Sequence, residues 1–81
     1  MTLADLDQPH RVRRSELIAL FGLTDREADV AALLGEGASL DDAARRLEIS
    51  EHTVRQHLKA VFGKVGVSRQ AELVRIISRL A

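Results

Sequence analysis

Between residues 24 and 50 this sequence starts a helix three times. "TDRE" at 24–27 has the capping-box form, in which the Thr24 hydroxyl accepts a backbone N–H and Glu27 reaches back to the Thr24 N–H. It opens a helix expected over about 25–35 and closed by the glycines of "GEG". "SLDD" at 39–42 repeats the form and opens a short helix with Leu40, Ala43, Ala44 and Leu47 inward, stopping near Glu48. Ser50 is a third N-cap, with Glu51 in the first turn, where the helix dipole favours an acid. Its helix runs to about Val65 and breaks at Gly66. Upstream, Pro9 suits the first turn of a helix over roughly 9–21, with Leu17, Leu20 and Phe21 on one face and Gly22 as its end. Downstream, Ser68 caps a last helix that runs to the C-terminus. Nothing reads as strand, repeat or low complexity, so the expected fold is all-α.

The central part of this layout is a two-turn helix, a turn of about four residues and a longer capped helix, which is the helix-turn-helix pattern. On its own that pattern is moderately specific, because tightly joined helices also occur in proteins that bind nothing. The chain has 81 residues, one small domain that buries only about 60% of the surface its unfolded form exposes. That leaves no room for a catalytic cleft between domains. With no Cys and three scattered His, redox and zinc roles are disfavoured. There is no apolar run of signal-peptide or membrane-span length, which gives the expectation of a cytoplasmic protein without a membrane partner. Aromatic residues make up 2% of the chain, too few for the base-stacking platforms of single-strand binders.

Formal charge is zero overall, yet it is divided along the chain. Residues 24–42 hold six acids and one base, whereas residues 43–81 hold eight bases and three acids. Such asymmetry argues for a polyanionic or acidic partner at one end of the molecule. On the 51–65 helix, Val54, Leu58, Val61, Phe62 and Val65 form one apolar stripe about 100° wide, which is core. The opposite side carries His52, Gln56, Lys59 and Gly63, with Arg55 beside it, and one flank carries Thr53, His57 and Lys64. The outward set contains the types that read base edges: Arg and Lys pair with guanine O6 and N7, and Gln pairs with adenine N6 and N7. The flank set holds donors suited to phosphate oxygens. Taken from this helix alone, the cations serve equally well as a solvated face, and His57 as a boundary histidine bonded to backbone. His52 and His57 are five apart and diverge, so they form no metal pair. No Ser/His/acid or paired-carboxylate arrangement can be recognised; no catalytic residue, metal, cofactor or small-molecule ligand is expected.

The stretch "LTDREADVAALLGEGASLDDAARRLEISEHTVRQHLKAVFGKVGVSRQAEL" resembles the LuxR-type helix-turn-helix DNA-binding domain, a four-helix module of bacterial response regulators and quorum-sensing regulators. The matching elements include Leu23-Thr24-x-Arg26-Glu27, Ile49-Ser50, Thr53-Val54-Arg55-x-His57-Leu58-Lys59, Gly66-Val67-Ser68-Arg69 and Glu72-Leu73. The resemblance implies a fold of four helices over 23–81; residues 1–22 lie outside it, as an extra N-terminal helical extension. It implies that Arg55, Gln56 and Lys59, joined by His52 of the outward set, read bases in the major groove. Thr53, His57, Lys64 and Arg69, with Ser50, would then serve the DNA backbone. Two positions depart from the family pattern: Glu48 replaces a glycine common in the turn, and Ala43 stands where a larger aliphatic is common. The partner is then double-stranded DNA, with RNA polymerase as a further candidate. Two rivals remain open, a sigma-factor-like promoter-binding domain and a protein-interaction adaptor with a basic helix.

On residues 69–81, Leu73, Val74, Ile76, Ile77, Leu80 and Ala81 span an arc of about 160°, wider than the ~100° a helix needs to pack on its own core. The surplus gives the expectation of a homodimer through Leu73, Ile76, Ile77 and Leu80. In the competing arrangement the N-terminal helix folds across that surface and covers it.

Overall fold

The computed structural model describes residues 9–80, with side chains from Arg14 onward. Five helices follow one another: α1 Pro9–Phe21, α2 Asp25–Gly35, α3 Leu40–Leu47, α4 Glu51–Val65 and α5 Gln70–Leu80. The expected capping boxes are both present. Thr24 Oγ1 accepts from the Glu27 N–H at 3.2 Å while Glu27 Oε1 accepts from the Thr24 N–H at 3.0 Å. Ser39 and Asp42 make the same exchange at the start of α3, and the Ser39 N–H holds the Asp42 carboxyl below its ordinary range.

Three helices end in the same hydrogen-bonded turn. After α2 the Ala38 N–H reaches Leu33 O at 3.1 Å, after α3 the Ile49 N–H reaches Ala44 O at 3.0 Å, and after α4 the Val67 N–H reaches Phe62 O at 3.1 Å. This is the Schellman motif, and it requires a left-handed residue one position before the donor. Gly37 and Gly66 supply it after α2 and α4, whereas after α3 the residue is Glu48, at φ 58°. Left-handed backbone costs a side-chain-bearing residue about 1–2 kcal/mol, which accounts for glycine being the common residue at this turn.

Helix α2 is the centre of the fold and is buried almost all round, through Glu27, Ala28, Val30, Ala31, Ala32 and Leu34. Helices α1, α4 and α5 pack on it, and α3 packs chiefly on α4. The fully enclosed large side chains are Leu17, Val30, Leu34, Val54, Val61, Leu73 and Ile77, each stabilising the fold by about 1.5–3 kcal/mol relative to exposure. At the end of α2, Gly35 packs directly against the Ile77 side chain of α5. A Cβ there would lie 2.6 Å from Ile77 Cγ2.

Three expectations need correction. Leu20 is 59% exposed, because the inward arc of α1 runs through Leu17, Phe21 and Ile18, and Leu20 falls beyond its edge. Helix α5 begins at Gln70, one residue later than a cap at Ser68 would start it; the Ser68 N–H instead donates to Glu72 Oε1 at 3.4 Å. Leu73 and Ile77, expected at a dimer interface, are fully buried within the chain. The wide apolar arc of α5 is needed because α5 faces two helices, α2 and α1, and not one. Leu80 is half-buried against the same core, so of the expected interface residues Ile76 alone is outside it. Ala81 lies outside the described residues.

Two glycine substitutions separate packing from helix propensity. Gly35→Ala should destabilise the domain by about 1–3 kcal/mol, since the new methyl must displace Ile77. Gly63→Ala, with nothing within 4 Å of its Cβ, should stabilise it by up to about 1 kcal/mol. Urea unfolding midpoints check both, and a stable Gly35→Ala protein would contradict the close α2–α5 contact.

Candidate nucleic-acid interface

Three residues, Glu48, Ile49 and Ser50, join α3 to α4. Ser50 Oγ accepts from the Thr53 N–H at 3.0 Å and lies 2.9 Å from Thr53 Oγ1, so the first turn of α4 is capped by a pair of hydroxyls. Val54, Leu58 and Val61 bury one side of α4, and Phe62 and Val65 pack at its margin. This fixes the rotation of the helix. His52, Arg55, Gln56 and Lys59 are thereby left exposed, while Thr53 and His57 are half-buried on the flank. Arg55 Nη2 is 2.8 Å from Glu51 Oε1, one turn back, and Lys59 pairs with no described residue. Arg69, exposed ahead of α5, is likewise unpaired among the described residues.

Lys64 departs from the expected set. Its Nζ lies 2.7 Å from Glu27 Oε1 and donates to Gly22 O at 3.4 Å, tying the last turn of α4 to the first turn of α2. Glu27 is 8% exposed, and a carboxylate that deep needs a cation and hydrogen bonds to stay charged. It has both: the Lys64 ammonium first, then the Thr24 N–H, hold its carboxyl below the ordinary value of 4.5. By helical spacing Lys64 shares the flank of Thr53 and His57, which is what makes it look like a phosphate donor. The sequence signal for its real partner was weak, since the capping box already accounted for Glu27.

Asp25, Asp29, Asp41 and Asp42 are also engaged. Arg14 Nε meets Asp29 Oδ1 at 2.6 Å, with Asp25 beyond, and Arg45 lies 3.0 Å from both Asp41 and Asp42. A shallow groove between α1, α2 and α3, lined by Arg14, Asp29, Ala32, Leu33, Arg46 and Leu47, includes no residue of α4. Among the described residues no group of three His, Cys, Asp or Glu is placed to hold a metal ion, and no helix is long and apolar enough to cross a membrane.

A short helix and a longer capped helix, joined by three residues and packed so that the second shows one polar face, make a helix-turn-helix. The family model for bacterial regulatory proteins of the luxR family matches residues 22–77. The chain belongs to the luxR family. Its relatives include an HTH-type transcriptional regulator of Mycobacterium bovis, 44% identical over 52 residues, which are 64% of this chain and 6% of the relative. A regulator described in the same words from Mycobacterium tuberculosis has the same identity and coverage. The HTH-type transcriptional regulator MalT of Yersinia pestis is 35% identical over 65 residues, 80% of this chain and 7% of that protein. The chain thus spans less than a tenth of the length of these relatives. No solved structure matches it.

The ion pair gives this luxR-family domain an acid-sensitive element. Because the folded-state pKa of Glu27 is depressed, its contribution is present above the ordinary value of 4.5 and lost as pH falls through the lower folded value. Lys64→Gln should lower stability at neutral pH by about 1–2 kcal/mol, below the usual figure for a bond to a charged group because Lys64 is 38% exposed. It should also flatten the loss of stability below pH 4.5. Thermal melts from pH 3 to 7 test this; parallel curves for the two proteins would remove the pair from the acid response.

Proposed function

We propose that this chain is the DNA-reading domain of a bacterial transcriptional regulator, laying α4 in the major groove of duplex DNA. The observation that carries the reading is the division of α4. Its apolar side is consumed by the core, and His52, Arg55, Gln56 and Lys59 stand together on the side left over. Those are side chains able to reach base edges from a helix in the groove. In this reading Ser50, Thr53, His57 and Arg69 contact phosphates, and Lys64 drops out because its ammonium is committed to Glu27. The relatives, described as HTH-type transcriptional regulators, support the same role. Residues 1–22 are then an extension whose helix covers the core, and 23–81 the binding module. The domain works in the cytoplasm by binding and not by catalysis, with RNA polymerase as a further partner.

Pairing as a homodimer is part of the proposal in reduced form. With Leu73 and Ile77 withdrawn into the core and Leu80 packed against it, Ile76 and Val74 are the half-exposed apolar side chains of α5 that lie outside the core. Two-fold pairing there would set two α4 helices on half-sites about one DNA turn apart. Sedimentation of the chain, free and on its best duplex, tests this: Ile76→Asp should abolish a dimer, and a monomer in both states defeats it.

The base-reading assignment is tested with duplexes selected from a randomised pool. Arg55→Ala or Lys59→Ala should cost about 1–3 kcal/mol on the preferred site and relax its base preference, whereas Arg69→Ala should weaken all sequences alike and lower the salt slope by about one. An unchanged ranking of sites in a competition assay with Arg55→Ala would show that Arg55 is no reader.

A further inference from the structure

Glu51 stands in the first turn of α4, where an acid favours the start of the helix. It is the one acid on that helix, and it stands at the edge of the surface meant to approach a polyanion. A carboxylate in that place repels every phosphate near it, so it weakens attachment to any duplex. Its ion pair with Arg55 is exposed, with side-chain exposures of 45% and 64%, and an exposed pair contributes little to folding. The first turn is already capped by Ser50.

We propose that Glu51 is a positioning residue for base selection: its carboxylate holds the Arg55 guanidinium ready to present two parallel N–H donors to a guanine. The proposal rests on the reading of Arg55 as a base reader. The geometry suits the task. The acid lies four residues N-terminal to the arginine, the order in which the two side chains meet best on a helix. Guanidinium carries five N–H donors in a fixed plane. Glu51 Oε1 engages Nη2 at 2.8 Å, and whichever of the two Nη2 hydrogens it takes, one complete two-donor edge is left for guanine O6 and N7. A free arginine loses rotamer freedom when it docks, and a guanidinium already held loses less. That gain is realised where a base offers two matching acceptors. The phosphate repulsion applies to every sequence. Glu51 therefore lowers affinity for duplex DNA in general while sharpening the preference for guanine. Lys59 and Gln56 have no acid one turn back: Arg55 and His52 stand there.

The test uses the full chain and three duplexes: the preferred site, the same site with the guanine contacted by Arg55 changed to adenine, and a random sequence. Glu51→Ala should reduce the guanine-to-adenine affinity ratio about 3- to 10-fold, part of what one bidentate pair discriminates, while binding the random duplex at least as tightly as the parent. Glu51→Gln, whose amide oxygen still accepts from a guanidinium, should keep much of the ratio. In an Arg55→Ala background, Glu51→Ala should change the ratio no further. The idea is overturned if Glu51→Ala leaves the ratio intact while Arg55→Ala collapses it. Equal losses on all three duplexes would show a role in folding alone and reject it, and so would an effect that persists without Arg55, which would make Glu51 a reader in its own right. If Arg55→Ala itself leaves the ratio unchanged, the base-reader assignment fails and the positioning role goes with it.

Discussion

Helices α1, α4 and α5 all meet at α2, and they can do so because α2 presents Ala28, Ala31, Ala32 and Gly35 where longer side chains would hold its neighbours away. A domain this small has few residues to enclose, so one helix surrounded by the others gives the largest return of buried surface. Larger residues complete the packing where a gap remains: Leu17 from α1, Val54 and Val61 from α4, Leu73 and Ile77 from α5. Gly35 against Ile77 leaves no room for a methyl group. Once α4 is seated on α2 its rotation is fixed, and the polar face of α4 is fixed with it.

The Glu27–Lys64 pair acts on the same seating from the side. Its two ends lie on α2 and α4, 37 residues apart in the chain, and the carboxylate is buried while the ammonium is half in water. Such a pair adds less to stability than its short distance implies, because burying the acid costs desolvation. It does discriminate between arrangements. A slip or rotation of α4 that separated the two would leave a buried carboxylate with only the Thr24 N–H. The pair thus specifies the angle of α4 on the core, which in turn decides where Arg55, Gln56 and Lys59 are presented.

The turn between α3 and α4 is under a different demand. The Schellman geometry that aims α4 away from α3 calls for left-handed backbone, and Glu48 adopts it at a conformational cost that Gly37 and Gly66 avoid in the matching turns. The position departs from the luxR pattern, and its backbone angle gives the reason the pattern favours glycine. Glu48 and Glu51 together put two exposed acids near a face that is otherwise basic.

Helix boundaries were legible in the sequence because caps and terminal glycines act within five residues. Thr24, Ser39, Ser50, Gly37 and Gly66 all took up the places their chemistry predicts. The division of α4 was legible for the same reason: a helical period sorts side chains around an axis whatever lies beyond, so the exposure of His52, Arg55, Gln56 and Lys59 followed from spacing. What each face would meet was not. A wheel measures the width of an apolar arc but not the number of helices it will touch, so the arc of α5 reads as surplus although it packs against both α1 and α2. Leu20 was misplaced because the arc of α1 is set by the line along which it crosses α2 and α5. Lys64 and Glu27 were separable only in space, since each already had a local explanation. Sequence alone fixed where the helices are and which way α4 divides; the tertiary structure decided which charges and which apolar residues remain available to a partner, because availability is what packing against distant parts of the chain leaves behind.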